Sequence, residues 1–437
     1  MIEAPPERLE SRLAEAKPLY GPGEARAEAE RCLFCADAPC VEACPTEIDV
    51  PGFIRQIASG DTLGAARTIF QQNILGYSCA RVCPVEVLCV GSCVYNPWHK
   101  PPIQIGRLQR FATESSLDAE AAGGARVMRP RAPSGTRRSV ALLGAGPASL
   151  ACAAYLALEG HRAVIFEKRA LPGGLNTTGV APYKIHTEDS LREVEYVRSL
   201  GVEVRCGVEV GVDVTPESLL KDYDAVFLGL GLGVDSKLAI EGEDGPGVWG
   251  ATALIEEIKN TPGFKLPDAR RALIVGGGNT AIDVARELAQ LGVPEVAMVY
   301  RRGAADMSGY AHEMDLARRD GVTLQTGCTP TAVVRGGDGR VEGLRVQRRE
   351  GGVEVLPADL IVLAIGQQKL RALAAAFEGV SLDARGCVSV EADSRRTGNP
   401  RVYAGGDCIN GGKEVVNAVA DGREAARAML RAWPAGA

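Results

Sequence analysis

The chain has 437 residues, 46% of them hydrophobic and 24% charged, with a formal net charge of -6 and a mean hydropathy of -0.01. That is enough chain for two or three hydrophobic cores, but the acidic balance gives no electrostatic footprint for nucleic acid and no apolar run is long enough to span a bilayer. The first residues, Met1-Ile2-Glu3-Ala4-Pro5-Pro6-Glu7-Arg8, lack the basic and apolar regions of a secretory signal, so a reducing cytoplasm is expected and disulfides are not.

Residues 18–30 read as a linker and a short helix. Cysteines then crowd the chain: Cys32, Cys35, Cys40 and Cys44, followed by Cys79, Cys83, Cys89 and Cys93, eight of the thirteen present. Soft thiolates at such short spacings suit iron–sulfur clusters, because each iron of a cubane takes one ligand and a local loop can supply several. A disulfide-stapled secreted module would need similar spacing, but neither a signal nor a shortage of core calls for one. Cys44 precedes Pro45, and in two-cluster ferredoxins the proline-adjacent cysteine ligates the other cluster, so Cys44 is expected to serve a second one.

Between the two cysteine groups, Phe53, Ile54, Ile57, Leu63, Ala66, Ile69 and Phe70 recur at helical spacing over residues 50–75, broken at Gly60-Asp61. Residues 117–138 show no periodicity and read as a linker.

Beyond the linker the composition changes. Ser139–Leu143 is a buried strand, Gly144-Ala145-Gly146-Pro147-Ala148-Ser149 a tight turn, Leu150–Gly160 a helix, and Ala163–Glu167 a second strand. Gly144 permits the turn, Gly146 lets the backbone approach a pyrophosphate at the helix N-terminus, and Ser149 replaces the usual third glycine with another small residue. Glu167 stands about twenty residues on, where an acid accepts from ribose hydroxyls. Strand, helix and acid in register make this a dinucleotide site.

A second copy begins at Arg271, with the strand Ala272–Val275, the turn Gly276-Gly277-Gly278-Asn279-Thr280-Ala281, a helix to Leu291 and the strand Val296–Tyr300. Arg301 and Arg302 follow in place of an acid. Arginines there accommodate a 2′-phosphate, which favours NADP, with NAD open. Each copy is followed by an apolar strand ending in glycine, Asp224–Gly231 and Asp359–Gly366, so two related α/β domains are expected. Val402–Asp407 is a last strand with a Gly-Gly-Asp turn before a helix from Glu414 to Ala432, placed to hold another part of a flavin.

These motifs resemble the family comprising the glutamate synthase small subunit, the N-terminal half of dihydropyrimidine dehydrogenase and that enzyme's separate bacterial electron-input subunit. The likeness covers about residues 30–430, and Arg31–Cys40, Cys79–Pro84 and Ile103–Phe111 are most similar to the pyrimidine enzymes. The resemblance implies an α/β chain with two Rossmann-like dinucleotide-binding domains, for FAD and NAD(P)H, preceded by a helical domain carrying two 4Fe-4S clusters. The expected units are residues 1–136, then 137–236 joined with 369–437 for FAD, and 237–368 for the nicotinamide nucleotide.

It also implies ligands: Cys32, Cys35, Cys40 and Cys93 for one cluster, Cys44, Cys83, Cys89 and the Gln109 side chain for the other. Cys79 is then left without iron, against the simple reading that all eight thiolates bind. FAD contacts fall on Gly144, Ala145, Gly146, Pro147, Ala148, Glu167, Leu175, Lys184, Val210, Gly406 and Asp407. Contacts to NADPH, or NADH, fall on Gly277, Gly278, Asn279, Thr280, Arg301, Arg302, Ala364, Ile365 and Gly366. One departure matters: where relatives run from isoleucine-proline to an arginine near the flavin, this chain has Val180-Ala181-Pro182-Tyr183-Lys184-Ile185, with Lys184 as the available charge.

The function implied is electron input: hydride from NADPH or NADH to FAD, then single electrons through both clusters to a catalytic or electron-accepting partner subunit containing FMN or iron–sulfur, with dihydropyrimidine dehydrogenase-like chemistry first. Alternatives are the glutamate synthase small subunit and a ferredoxin:NADP oxidoreductase subunit, bifurcating or not. A pyridine nucleotide–disulfide reductase is disfavoured because Cys152, Cys206, Cys328, Cys387 and Cys408 form no Cys-x-x-Cys pair, and a non-catalytic nucleotide-binding scaffold is the remaining reading. No residue is assigned to acid–base catalysis, since hydride transfer to flavin needs positioning.

Overall fold

The computed structural model describes residues 2–433; Met1 and residues 434–437, the outer ends of the expected units, lie outside it. The N-terminal unit is helical: Pro22–Glu30, Pro39–Glu42, Val50–Ala58, Thr62–Gln72, Gly76–Val82 and Ile105–Ala121. The break at Gly60-Asp61 has a local cause. Gly60 takes a φ of +86°, and Asp61 caps the next helix by accepting from Gly64 N at 2.8 Å. Phe53, Ile54, Ile69 and Phe70 then meet in one core, each 0% exposed.

The expected linker begins too early at 117. The long helix continues to Ala121, because Leu117 is buried in the core and the Ser116 hydroxyl donates to Thr62 O at 3.2 Å. Tertiary burial extends a helix that periodicity alone did not mark.

Two five-stranded parallel sheets follow. The first runs in the order Val402–Ala404, Ala225–Leu228, Ser139–Leu143, Arg162–Glu167, Glu203–Cys206, and the second Val248–Gly250, Leu360–Leu363, Arg271–Val275, Glu295–Tyr300, Thr323–Thr326. In each, the strand before the glycine turn is central and the chain later crosses to its other side, creating a switch point at its carboxyl end. Register places Leu143 beside Phe166 and Leu228, and Val275 beside Val299 and Leu363. Both faces are covered, which is why these strands read as continuous apolar runs.

A three-stranded antiparallel sheet, Cys328–Arg335, Val341–Arg348 and Val353–Pro357, was not read from the sequence. Its signal is alternation, since Leu344 and Val346 are buried while Glu342, Arg345 and Gln347 are exposed. Also unread is the N-terminal segment. Leu9 packs on the core of the second sheet, and Leu13 clusters with Ala181 and Tyr183.

Candidate functional site

The carboxyl ends of both parallel sheets open on one cavity of about 1250 Å³. At the first turn Gly144 has a φ of +82°, and a Cβ there would lie 2.6 Å from Gly229 O, so the turn requires glycine. Glu167 closes it: one carboxylate oxygen accepts from Ala145 N at 2.7 Å and the other from Arg169 N at 2.8 Å. Ser149 donates to Leu143 O at 3.3 Å, so the third small residue bonds helix to strand.

Gly406 and Asp407 reach the cavity from the last strand. Burial raises the Asp407 pKa, although Lys413 N donates to its carboxylate. At the second turn a Cβ on Gly277 would meet the Tyr300 ring at 2.6 Å. Asn279 accepts from Tyr310 N at 2.9 Å. Arg301 and Arg302 line the cavity, are exposed, and have no ion-pair partner among the described residues.

All the nucleotide-site residues named from the sequence line this cavity except Ala145, which is fully buried with its N–H held by Glu167. Lys184 lines it too, but not as a free charge: its ammonium is 2.7 Å from Asp283 and 2.9 Å from Glu313. Burial lowers its pKa, and the two carboxylates outweigh that and hold it well above the ordinary value. Sequence reasoning missed these partners. It also missed Val82 and Pro84, which bring the cysteine block to the cavity wall on either side of Cys83.

The thiols sort into groups. Cys32, Cys35, Cys40 and Cys93 surround one small cavity lined otherwise by apolar groups such as Val50, Ile54, Ile103 and Ile105. Burial first, then the thiols of Cys32, Cys93 and Cys35, push the Cys40 thiol up to about 12. Cys89 is likewise raised, by burial and then by Cys83 and Cys44. Bound cations reverse that logic by favouring thiolate. Among the described residues no three ligating side chains converge as on a single ion; a cubane instead holds its four thiolates apart, one to each iron. Soft donors around an apolar cavity fit such a cluster.

Cys79 is buried inside helix Gly76–Val82, one turn before Cys83. Gln109 is buried, and its amide nitrogen donates to Gly76 O at 2.7 Å. Its amide oxygen is the atom left to ligate. None of the thirteen cysteines is in a disulfide, and no helix of the described residues is long and apolar enough to cross a membrane.

Residues 138–422 match the family described as pyridine nucleotide-disulphide oxidoreductase, and residues 9–121 the one described as dihydropyrimidine dehydrogenase domain II, 4Fe-4S cluster. The chain is 32% identical to the glutamate synthase (NADPH) small chain of Escherichia coli K12, over 98% of its own length and 96% of that protein. It is 36% identical to the NAD-dependent dihydropyrimidine dehydrogenase subunit PreT of the same organism, over 95% of its length and 96% of that protein. Among solved structures, T. acidophilum thioredoxin reductase superimposes with a TM-score of 0.56 at 21% identity, over 68% of this chain and 99% of that one, a likeness of fold.

Proposed function

The chain belongs to the pyridine nucleotide-disulphide oxidoreductase family, among relatives that carry an N-terminal 4Fe-4S domain, and on that premise we propose how its residues divide the work. It is an NAD(P)H-dependent oxidoreductase subunit for electron input. Residues 137–236 with 369–437 hold FAD, 237–368 hold the nicotinamide nucleotide, and 1–136 hold two 4Fe-4S clusters. FAD, when bound, supplies the exchange between a two-electron hydride and the single electrons that clusters carry.

The chain's residues bind and orient. The Gly144–Ala148 turn takes the FAD pyrophosphate at the start of helix Pro147–Leu158, with Glu167 on the ribose. Gly277–Thr280 does the same for the nicotinamide nucleotide, and Arg301 and Arg302, which have no ion-pair partner among the described residues, take a 2′-phosphate, favouring NADPH. Cys32, Cys35, Cys40 and Cys93 hold one cluster. Cys44, Cys83, Cys89 and the Gln109 oxygen hold the other, which lies nearer the cavity because Val82 and Pro84 line it.

The observation that carries this reading is the single cavity reached by both glycine turns and by the residues flanking Cys83. The partner proposed is a pyrimidine-reducing subunit containing FMN or iron–sulfur, on the likeness of residues 9–121 to a dihydropyrimidine dehydrogenase domain. The full-length likeness to a glutamate synthase small chain supports a glutamate synthase partner subunit as the second reading. Anaerobic addition of NADPH and NADH tests the scheme. Bleaching of bound flavin and a reduced-cluster EPR signal are expected; no bleaching with either nucleotide excludes it. The subunit that co-purifies from native cells separates the two partners.

A further inference from the structure

One buried cation outside the cavity has no ion-pair partner among the described residues. Lys259, on helix Ala251–Asn260 of the second unit, is 0% exposed. Its ammonium donates to three main-chain carbonyls, Asn176 at 2.9 Å, Val180 at 3.0 Å and Ile185 at 2.8 Å. An ammonium has three protons and no acceptor, so the set is complete.

Such an arrangement is a poor stabilising device. A buried charge without a contacting counter-ion is costly, and an apolar side chain of similar length would fill the space without that cost. Burial lowers the Lys259 pKa to about 8, against the pull of Glu10 and Glu287. What the lysine gains is geometry.

All three carbonyls belong to one stretch of the first unit, residues 176–185, which forms a wall of the cavity through Asn176, Thr178, Val180 and Lys184. The second unit grips the same stretch elsewhere. Asn260 donates to Thr177 O at 2.9 Å, and Asp283 accepts from the Tyr183 hydroxyl at 2.7 Å. Behind it the N-terminal segment spans both units: Ala16 N donates to Tyr183 O at 2.8 Å, and Glu7 O accepts from Gly263 N at 3.0 Å.

We propose that Lys259 is a positioning residue that holds the 176–185 wall in register with the second unit, so that the two dinucleotide sites face each other across one cavity. This rests on reading the cavity as the shared dinucleotide site. Lys259 does not line the cavity, so it acts through the wall and not on a bound molecule.

The test uses holoprotein carrying Lys259→Met. Three quantities are measured: the dissociation constant of NADP⁺, the limiting rate of flavin reduction under anaerobic NADPH, and amide hydrogen exchange over residues 176–185. Sub-ångström to ångström misplacement of reacting groups is costly, so the limiting rate is expected to fall about tenfold or more. The dissociation constant is expected to stay within about twofold of wild type, because uniform binding is untouched. Exchange should accelerate over 176–185 and not in strand Ser139–Leu143.

Any other pattern overturns the proposal. Should Lys259→Met lose flavin, Lys259→Gln, which keeps two donors, is measured in the same way, and loss of flavin in both assigns Lys259 to folding alone and overturns it. Wild-type flavin reduced by neither NADPH nor NADH would remove the cavity reading instead, and exchange over 176–185 would then decide the tether by itself.

Discussion

The ammonium of Lys17 donates to the main-chain carbonyl of Cys83 across 2.7 Å, linking the N-terminal segment to a cysteine whose neighbours Val82 and Pro84 line the cavity between the two sheets. A positive charge so near a proposed cluster ligand would favour the reduced, more negative state, as hydrogen bonds and local charge do at iron–sulfur sites generally. Lys17→Gln is therefore expected to lower the midpoint potential of the cluster proposed at Cys44, Cys83 and Cys89, on the order of 50 mV for one partly screened charge. EPR-monitored redox titration reads this. The potential of the other cluster should stay put, and an unchanged pair of potentials would rule out the tuning role.

Cys79 and Cys44 make opposite predictions from similar chemistry. Cys79 is 2% exposed in the interior of helix Gly76–Val82, where serine preserves size and its hydroxyl can bond along the helix. Cys44 is only partly buried, and its thiol lies 3.3 Å from the Thr46 hydroxyl. Iron and sulfide content should be unchanged in Cys79→Ser and fall by about one cluster in Cys44→Ser, since thiolate is the ligand. Equal loss in both would overturn the ligand assignment.

Arg301 and Arg302 stand exposed at the cavity with no carboxylate partner among the described residues. A charge-assisted bond to a phosphate is worth about 1.5–3 kcal/mol, so removing both arginines should cut kcat/KM for NADPH about tenfold or more. NADH, which has no 2′-phosphate, should change by only about twofold on the loss of rim charge. Steady-state reduction of an artificial acceptor with each nucleotide checks this, and a parallel loss for both would assign the arginines to something other than phosphate selection.

What the sequence disclosed and what it withheld follow from distance along the chain. The Gly144–Ser149 turn, Glu167 and the spacing within each group of four cysteines were legible because those residues lie within about twenty positions of one another, where sterics and ligand geometry act directly. The crossing of Cys93 to the first group and the joining of Cys44 to Cys83 and Cys89 of the second were implied by the family resemblance alone. The pairing of Lys184 with Asp283 and Glu313 spans roughly a hundred residues or more, and nothing in either segment announces it. The same holds for Val82 and Pro84 at the cavity wall. The strand Val341–Arg348 is different: its inward Leu344 and Val346 alternate with outward residues, so the signal was present and went unread. Helix Ile105–Ala121 outran its expected end because Leu117 is buried by distant residues, a tertiary effect that local periodicity does not carry.

Glu193 joins helix Thr187–Ser199, in the unit proposed to hold FAD, to the N-terminal helical unit. One of its carboxylate oxygens accepts from Tyr77 N at 3.0 Å and Ser78 N at 3.1 Å, at the start of helix Gly76–Val82. Burial pushes its pKa up to about 7, although those bonds pull the other way. Its folded pKa lies above the ordinary value of 4.5, so the folded protein takes up this proton as pH falls through about 7 while the unfolded chain waits until about 4.5. The contribution to stability is thus most unfavourable above pH 7 and improves as pH falls toward 4.5, by an amount on the order of 3 kcal/mol. Glu193→Gln keeps the size and an oxygen acceptor but cannot titrate. The melting temperature of wild type relative to Glu193→Gln should therefore rise steadily from pH 7.5 to pH 5.5, other carboxylates cancelling in the difference. A pH-independent difference would show that Glu193 does not titrate in this window.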